Sequence, residues 1–92
     1  MAEAGLVEEA TREFERLAQD RSRTTMYAWP LAELYKRAGR FDDALLQLRH
    51  VEEVDPTQAG AAALRAGEVL VDGKRFTEAK RELERAARIL GP

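Results

Sequence analysis

The sequence predicts an all-α domain of five helices folded as antiparallel hairpins. Three observations carry that expectation. Ala, Leu, Glu and Arg dominate the chain, and all four are strong helix formers. Apolar residues recur at i, i+3, i+7 and i+10 from Val7, Phe41 and Phe76, the spacing of one helix face. One short pattern also occurs three times, as Gly5-Leu6-Val7-Glu8-Glu9-Ala10, Gly39-Arg40-Phe41-Asp42-Asp43-Ala44 and Lys74-Arg75-Phe76-Thr77-Glu78-Ala79. The offset from Ala10 to Ala44 is 34 residues and from Ala44 to Ala79 it is 35.

The first helix is expected near residues 6–19, with Phe14 and Leu17 continuing its apolar stripe. The second is expected near 26–38, where Ala28, Leu31, Ala32 and Tyr35 share a core face. Thr24 or Thr25 is its expected N-cap, which leaves Pro30 just past the first turn, near where proline is tolerated. The third is expected near 41–54 and stops at Asp55-Pro56, because proline cannot continue a helix and biases its predecessor away from helical backbone. The fourth, near 58–72, repeats the second helix's face as Ala63, Ala66, Gly67 and Leu70, and the small residues among them admit a close partner. The fifth, near 76–90, carries Ala79, Leu83 and Ala86 and meets Gly91-Pro92. Gly39 and Gly73 are expected to end the second and fourth helices. Acids open helices (Glu8, Glu9, Asp42, Asp43, Glu78), and Lys36 with Arg37 close one, both favourable in the helix dipole. Glu82 with Arg85, and Glu84 with Arg88, are expected ion pairs on a solvated face.

The length of 92 residues is that of a single domain. A net charge of −2 argues against nucleic-acid binding, which usually shows a basic excess. With no cysteine there is no disulfide framework, thiolate nucleophile or cysteine zinc site. No apolar run reaches the roughly 18 residues of a membrane span, and residues 1–10 lack a basic and an apolar signal region, so a cytoplasmic protein with no membrane partner is expected. Catalysis has little support: His50 is the only histidine, no glycine loop carries the Lys-Ser/Thr of a phosphate cradle, and Asp42 and Asp43 point apart on a helix. No cofactor or metal is expected.

Read at an offset of 34 to 35 residues, the chain resembles the tetratricopeptide repeat (TPR) family, whose pattern is W-x2-L-G-x2-Y, then A-x3-F, then P. One copy reads Ala28-x2-Leu31-Ala32-x2-Tyr35, Ala44-x3-Leu48, Pro56. The next reads Ala63-x2-Ala66-Gly67-x2-Leu70, Ala79-x3-Leu83, Gly91-Pro92, and the first segment supplies only Ala10-x3-Phe14. The resemblance implies a half repeat at about 5–23 and repeats at about 24–58 and 59–92, stacked as a short right-handed α-solenoid. Both tryptophan positions of the pattern hold alanine, and Trp29 lies one residue beyond the first. One residue is added in the last repeat, either in "DPTQAG" or in "DGKRF".

In the resembling family the first helix of each repeat lines an inner groove that binds peptides. The residues implied here are Met26, Trp29, Glu33, Lys36 and Arg37, with Leu64, Glu68 and Val71 in the next repeat. Trp, Met and Arg together suit an interface hot spot. Glu33 and Glu68 occupy the positions that hold asparagine in the family's carboxylate clamp, so a ligand of basic or mixed charge is expected instead. The leading expectation is therefore a scaffold that binds a protein or peptide without chemistry of its own. The alternative is a structural assembly subunit, a homo-oligomer formed through uncapped terminal helices at Leu6, Val7, Phe14, Ile89 and Leu90, since repeat arrays normally need polar capping repeats.

Overall fold

The computed structural model describes residues 2–20 and 25–91, without the side chains of residues 2–4 and 20. Among them are five α-helices and no strand: α1 (Ala2–Asp20), α2 (Ala28–Arg37), α3 (Phe41–Val54), α4 (Ala59–Asp72) and α5 (Phe76–Leu90). A 3₁₀ turn, Pro56–Gln58, precedes α4. Two boundaries differ from expectation. Gly5, aligned with the turn glycine Gly39, lies inside α1 and starts nothing. The second helix begins at Ala28, with Tyr27 at the N-cap position and no side-chain cap. The Thr25 carbonyl accepts the Ala28 N–H at 3.1 Å, but the Thr25 hydroxyl does not cap. Residue 24 and the terminal residue 92 lie outside the described residues. The late start places Pro30 third in its helix, among the N–H groups that have no intrahelical partner anyway.

Two turns of one design join α2 to α3 and α4 to α5. In the first, the Gly39 N–H donates to Lys36 O at 3.1 Å and the Arg40 N–H to Tyr35 O at 2.8 Å. In the second, Lys74 donates to Val71 O at 3.0 Å and Arg75 to Leu70 O at 2.8 Å. This is the Schellman closure, which needs a left-handed residue just past the helix. Gly39 supplies it at φ 77°. In the second turn Lys74 takes that place at φ 61°, and Gly73 keeps an ordinary φ of −83°. Gly73 instead admits the Phe41 ring, which a Cβ there would meet at 3.1 Å. The two turns correspond at an offset of 35 throughout, so the added residue does not lie in "DGKRF". It belongs to the connection between α3 and α4, where the 3₁₀ turn sits.

Each helix packs on its neighbours in the chain. Both glycine contacts of α4 run antiparallel to α5: a Cβ on Gly60 would meet Leu90 at 2.6 Å, and one on Gly67 would meet Leu83 at 2.4 Å. The small residues thus do what the sequence requires of them, bringing two backbones close. The core is continuous from Ala28, Leu31, Ala32 and Tyr35 of α2 through Ala44, Leu45, Leu48 and Val51 of α3 to Ala62, Ala66, Val69 and Leu70 of α4 and Ala79 of α5. Helices α3 and α5 run parallel, because Arg75 pairs with Asp42 and Arg85 with Glu52, each at 2.7 Å and each across 33 residues. The molecule measures 41 × 30 × 17 Å.

The third copy of the repeated helix departs from the other two. Phe41 is half-buried and Leu48 buried, but Phe76 and Leu83 are exposed, because no described helix covers that side of α5. Of the two expected pairs on α5, Glu82–Arg85 forms at 3.0 Å, whereas Glu84–Arg88 is absent: Glu84 turns toward the exposed apolar side instead.

At the other end Phe14 and Ala18 of α1 pack against the core, and two polar or aromatic contacts add to them. Phe14 meets Tyr27 with ring centroids 6.2 Å apart. The Tyr35 hydroxyl donates to the Glu15 carboxylate, and the Arg40 guanidinium lies 4.5 Å over the same ring. Burial, then the Glu15 hydrogen bond and charge, push the Tyr35 hydroxyl well above its ordinary value of 10.0. Its stabilising contribution is intact below that ordinary value and is lost as pH rises beyond it.

Urea titration of Lys74→Gly should give a gain of about 1 kcal/mol, since glycine relieves the left-handed strain; a loss would mean that Lys74 is not strained. Ala44→Leu should cost about 1–3 kcal/mol by overpacking a side chain with no accessible surface. Alkaline titration should destabilise the native chain above about pH 10, and more steeply than it destabilises Tyr35→Phe; parallel curves would remove Tyr35 from the linkage.

Candidate functional site

A cleft of about 340 Å³ lies between α2 and α4. Its walls are Trp29, Pro30, Glu33 and Lys36 from α2 and Arg65, Glu68 and Val69 from α4, over a floor of Ala32 and Leu48. Helix geometry explains the membership. On α2 the residues 29, 33 and 36 follow one face, one step round from the buried row 28, 31, 32 and 35. On α4 the groove face is Arg65, Glu68 and Asp72.

Trp29 is fixed rather than free. Its indole N–H donates to Gln58 Oε1 at 3.0 Å, and the ring packs on the core. Gln58 in turn donates to Asp55 Oδ2 at 2.7 Å and to the Thr25 hydroxyl at 3.3 Å. Asp55 accepts the Thr57 N–H at 3.2 Å and the Thr57 hydroxyl at 2.6 Å, which shapes the 3₁₀ turn. Hydrogen bonds, from Gln58 first and then Thr57, hold the Asp55 carboxyl below its ordinary 3.8. A chain of side chains thus runs from the α3–α4 connection to the tryptophan at the groove mouth.

The charges of the groove are interleaved. Lys36 Nζ lies 3.3 Å from Glu33 and 3.9 Å from Asp72, Arg37 Nε lies 3.5 Å from Glu33, and Arg65 approaches Glu68 at 4.0 Å. These are surface pairs, each worth about 0–1 kcal/mol and open to exchange for a ligand's charges.

Of the residues expected to line this groove, Trp29, Glu33, Lys36 and Glu68 do so. Arg37 is exposed and reaches it through Glu33. Met26 is exposed before α2 begins. Leu64 and Val71 sit elsewhere: with Gly60 and Gly67 they form a stripe of α4 turned by about a quarter circle from the groove face, and Val71 borders an apolar hollow with Phe76, Leu83 and Ala87 of α5. Among the residues expected to self-associate, Leu6 is exposed, Val7 and Phe14 are half-buried, and Ile89 and Leu90 lie over Gly60 while remaining largely exposed. Gln58 and Asp55, which hold Trp29 from beside the groove, are the residues that sequence reading missed. Their signal was the Asp-Pro-Thr-Gln string, read only as a helix stop and not as a side-chain turn that exports an amide.

A second cleft, about 380 Å³, separates α3 from α5. Arg49, Glu52, Glu78, Arg81, Glu82 and Arg85 rim it, and Arg85 is engaged with Glu52 and Glu82. Among the described residues no group of three or more His, Asp or Glu converges to hold a metal, and no helix is long and apolar enough to cross a membrane. Comparison with protein-family models, with curated proteins and with solved structures finds nothing that matches this chain.

Trp29 is the sole tryptophan, so its emission reports the groove directly. Gln58→Ala should shift that emission to the red and lower its anisotropy. The native chain should do the same as pH falls below the ordinary aspartate value, since Asp55, with its lowered pKa, keeps its hydrogen bonds above that value and loses them beneath it. Emission indifferent to both changes would show that Gln58 does not hold the indole.

Proposed function

We propose that this protein is a binding scaffold of TPR-like repeats, taking an extended or helical peptide segment of a partner protein into the groove between α2 and α4. The observation that carries the reading is the cleft itself: a rigidly held tryptophan beside Pro30, an apolar floor, and charges of both signs on the walls. An aromatic anchor fixed before binding loses little entropy on association, which is what a hot spot needs. Glu33 and Glu68 flank the floor, so a ligand with a basic group between apolar side chains fits better than a free carboxylate. The stacked-repeat reading is supported by the two matching turns, by the parallel course of α3 and α5, and by the cross-links between α2 and the α4 end of the chain at Trp29–Gln58 and Lys36–Asp72. In such an array successive pairs lean on one another and leave a continuous inner surface.

Selection of binders from a displayed random-peptide library, followed by chemical-shift mapping, tests this. Selected peptides should perturb the Trp29 indole, Glu33, Lys36, Arg65 and Glu68, and they should carry basic residues beside apolar ones. Trp29→Ala should weaken them by about 2 kcal/mol or more, with helicity retained. Peptides that map outside the groove, or a library that yields no binder, would overturn the proposal.

A further inference from the structure

The far side of the α4–α5 hairpin holds an open apolar strip. Phe76, Lys80, Leu83, Ala87 and Leu90 follow one face of α5, and Val71 of α4 borders them. Phe76 is 62% exposed, Leu90 60%, Val71 44% and Leu83 36%. Lys80 and Glu84 stand within this strip, one helical turn apart, and neither has an ion-pair partner among the described residues. Along α5's inner edge, by contrast, Arg75 holds Asp42 and Glu78, and Arg85 holds Glu52 and Glu82.

We infer that this face binds a second copy of the chain, with α5 antiparallel to α5 about a twofold axis. An isologous contact requires a surface complementary to itself. A twofold axis crossing α5 midway between residues 80 and 84 sets Lys80 of one protomer against Glu84 of the other, twice. The same axis sets Leu83 beside its own mate near the centre and Phe76 against the partner's C-terminal end of the strip. The pairing therefore satisfies both lone charges and covers Phe76, Leu83 and Leu90 in one arrangement. A head-to-tail stack would have to lay this strip on α1, where Val7, Phe14 and Leu17 are already half-covered and Phe14 is engaged with Tyr27. Such a stack would also not stop at two copies, since each added chain presents the same strip again. The twofold pair carries two α2–α4 grooves on surfaces the contact leaves open.

Sedimentation equilibrium of the whole chain across micromolar to millimolar concentration tests the inference. The expected result is a reversible monomer–dimer equilibrium that saturates at two copies. Lys80→Glu or Glu84→Lys alone should weaken it about tenfold or more by like-charge contact, the double reversal should return to within about threefold of the native value, and Leu83→Glu should abolish it. Far-UV circular dichroism checks that each variant keeps its helices, and Lys80→Gln replaces Lys80→Glu should that variant unfold, with weakening again expected. Trp29→Ala should leave the equilibrium unchanged, which separates this face from the groove. A monomer at every concentration, growth past two copies, or a double reversal no better than the singles would overturn the inference.

Discussion

The fold depends on close approach of helices at small residues. Ala44 and Ala79 have almost no accessible surface, and Gly60 and Gly67 leave no room for even one added methyl before the leucines of α5 are struck. Where the contact residue is this small, two helix axes can draw together and the larger side chains on either flank, Leu48 and Val51 of α3 and Leu70 of α4, close over the seam. Those flanking residues supply most of the apolar burial, at about 1.5–3 kcal/mol for each large side chain fully covered. The small residues contribute little themselves. They set the distance at which the others can contribute.

The turns complete that constraint. A Schellman closure reverses the chain within three residues and leaves no helix-end carbonyl to be solvated at random. In the first turn the Arg40 side chain folds back over Tyr35, and Tyr35 reaches α1 through Glu15. A turn, a ring and a carboxylate thus tie three helices together around one buried tyrosine. The second turn lacks this tie and places a lysine in the left-handed position, so the same backbone closure is kept at a local cost. The groove inherits its shape from these choices. Its two walls belong to helices separated by a third, and the Asp55–Gln58 link crosses that gap to hold Trp29 in place.

Much of this architecture is legible in the residues. The period of apolar positions names the helices, the alanines of the second and third copies, Ala44 and Ala79, mark helix contacts while Ala10 is only half-buried, and Asp55-Pro56 marks a stop. The face of α2 is legible as well, since every residue expected in its core is buried. Three things were not. Leu64 and Val71 were placed on the groove because they lie 35 residues beyond Trp29 and Lys36, yet the α4 wall is made by Arg65, Glu68 and Val69, about a quarter turn round the helix. Which residue of the second turn adopts left-handed backbone was not legible, because glycine is the usual occupant and Lys74 takes the place here. The hydrogen bond from Trp29 to Gln58 joins residues far apart in sequence, and only the packing of α2 beside the α3–α4 connection brings them within reach.

The parallel course of α3 and α5 is the feature on which the proposed repeat stacking rests, and dipolar electron paramagnetic resonance measures it directly. The chain has no native cysteine, so spin labels can be placed in pairs at 42 with 75, 52 with 85, and crosswise at 42 with 85. The first two separations should be short and alike, and the crossed one longer by about 10 Å, as expected for ten residues of helix at about 1.5 Å each partly offset by label reach. A crossed separation equal to or shorter than the direct ones would contradict the parallel arrangement.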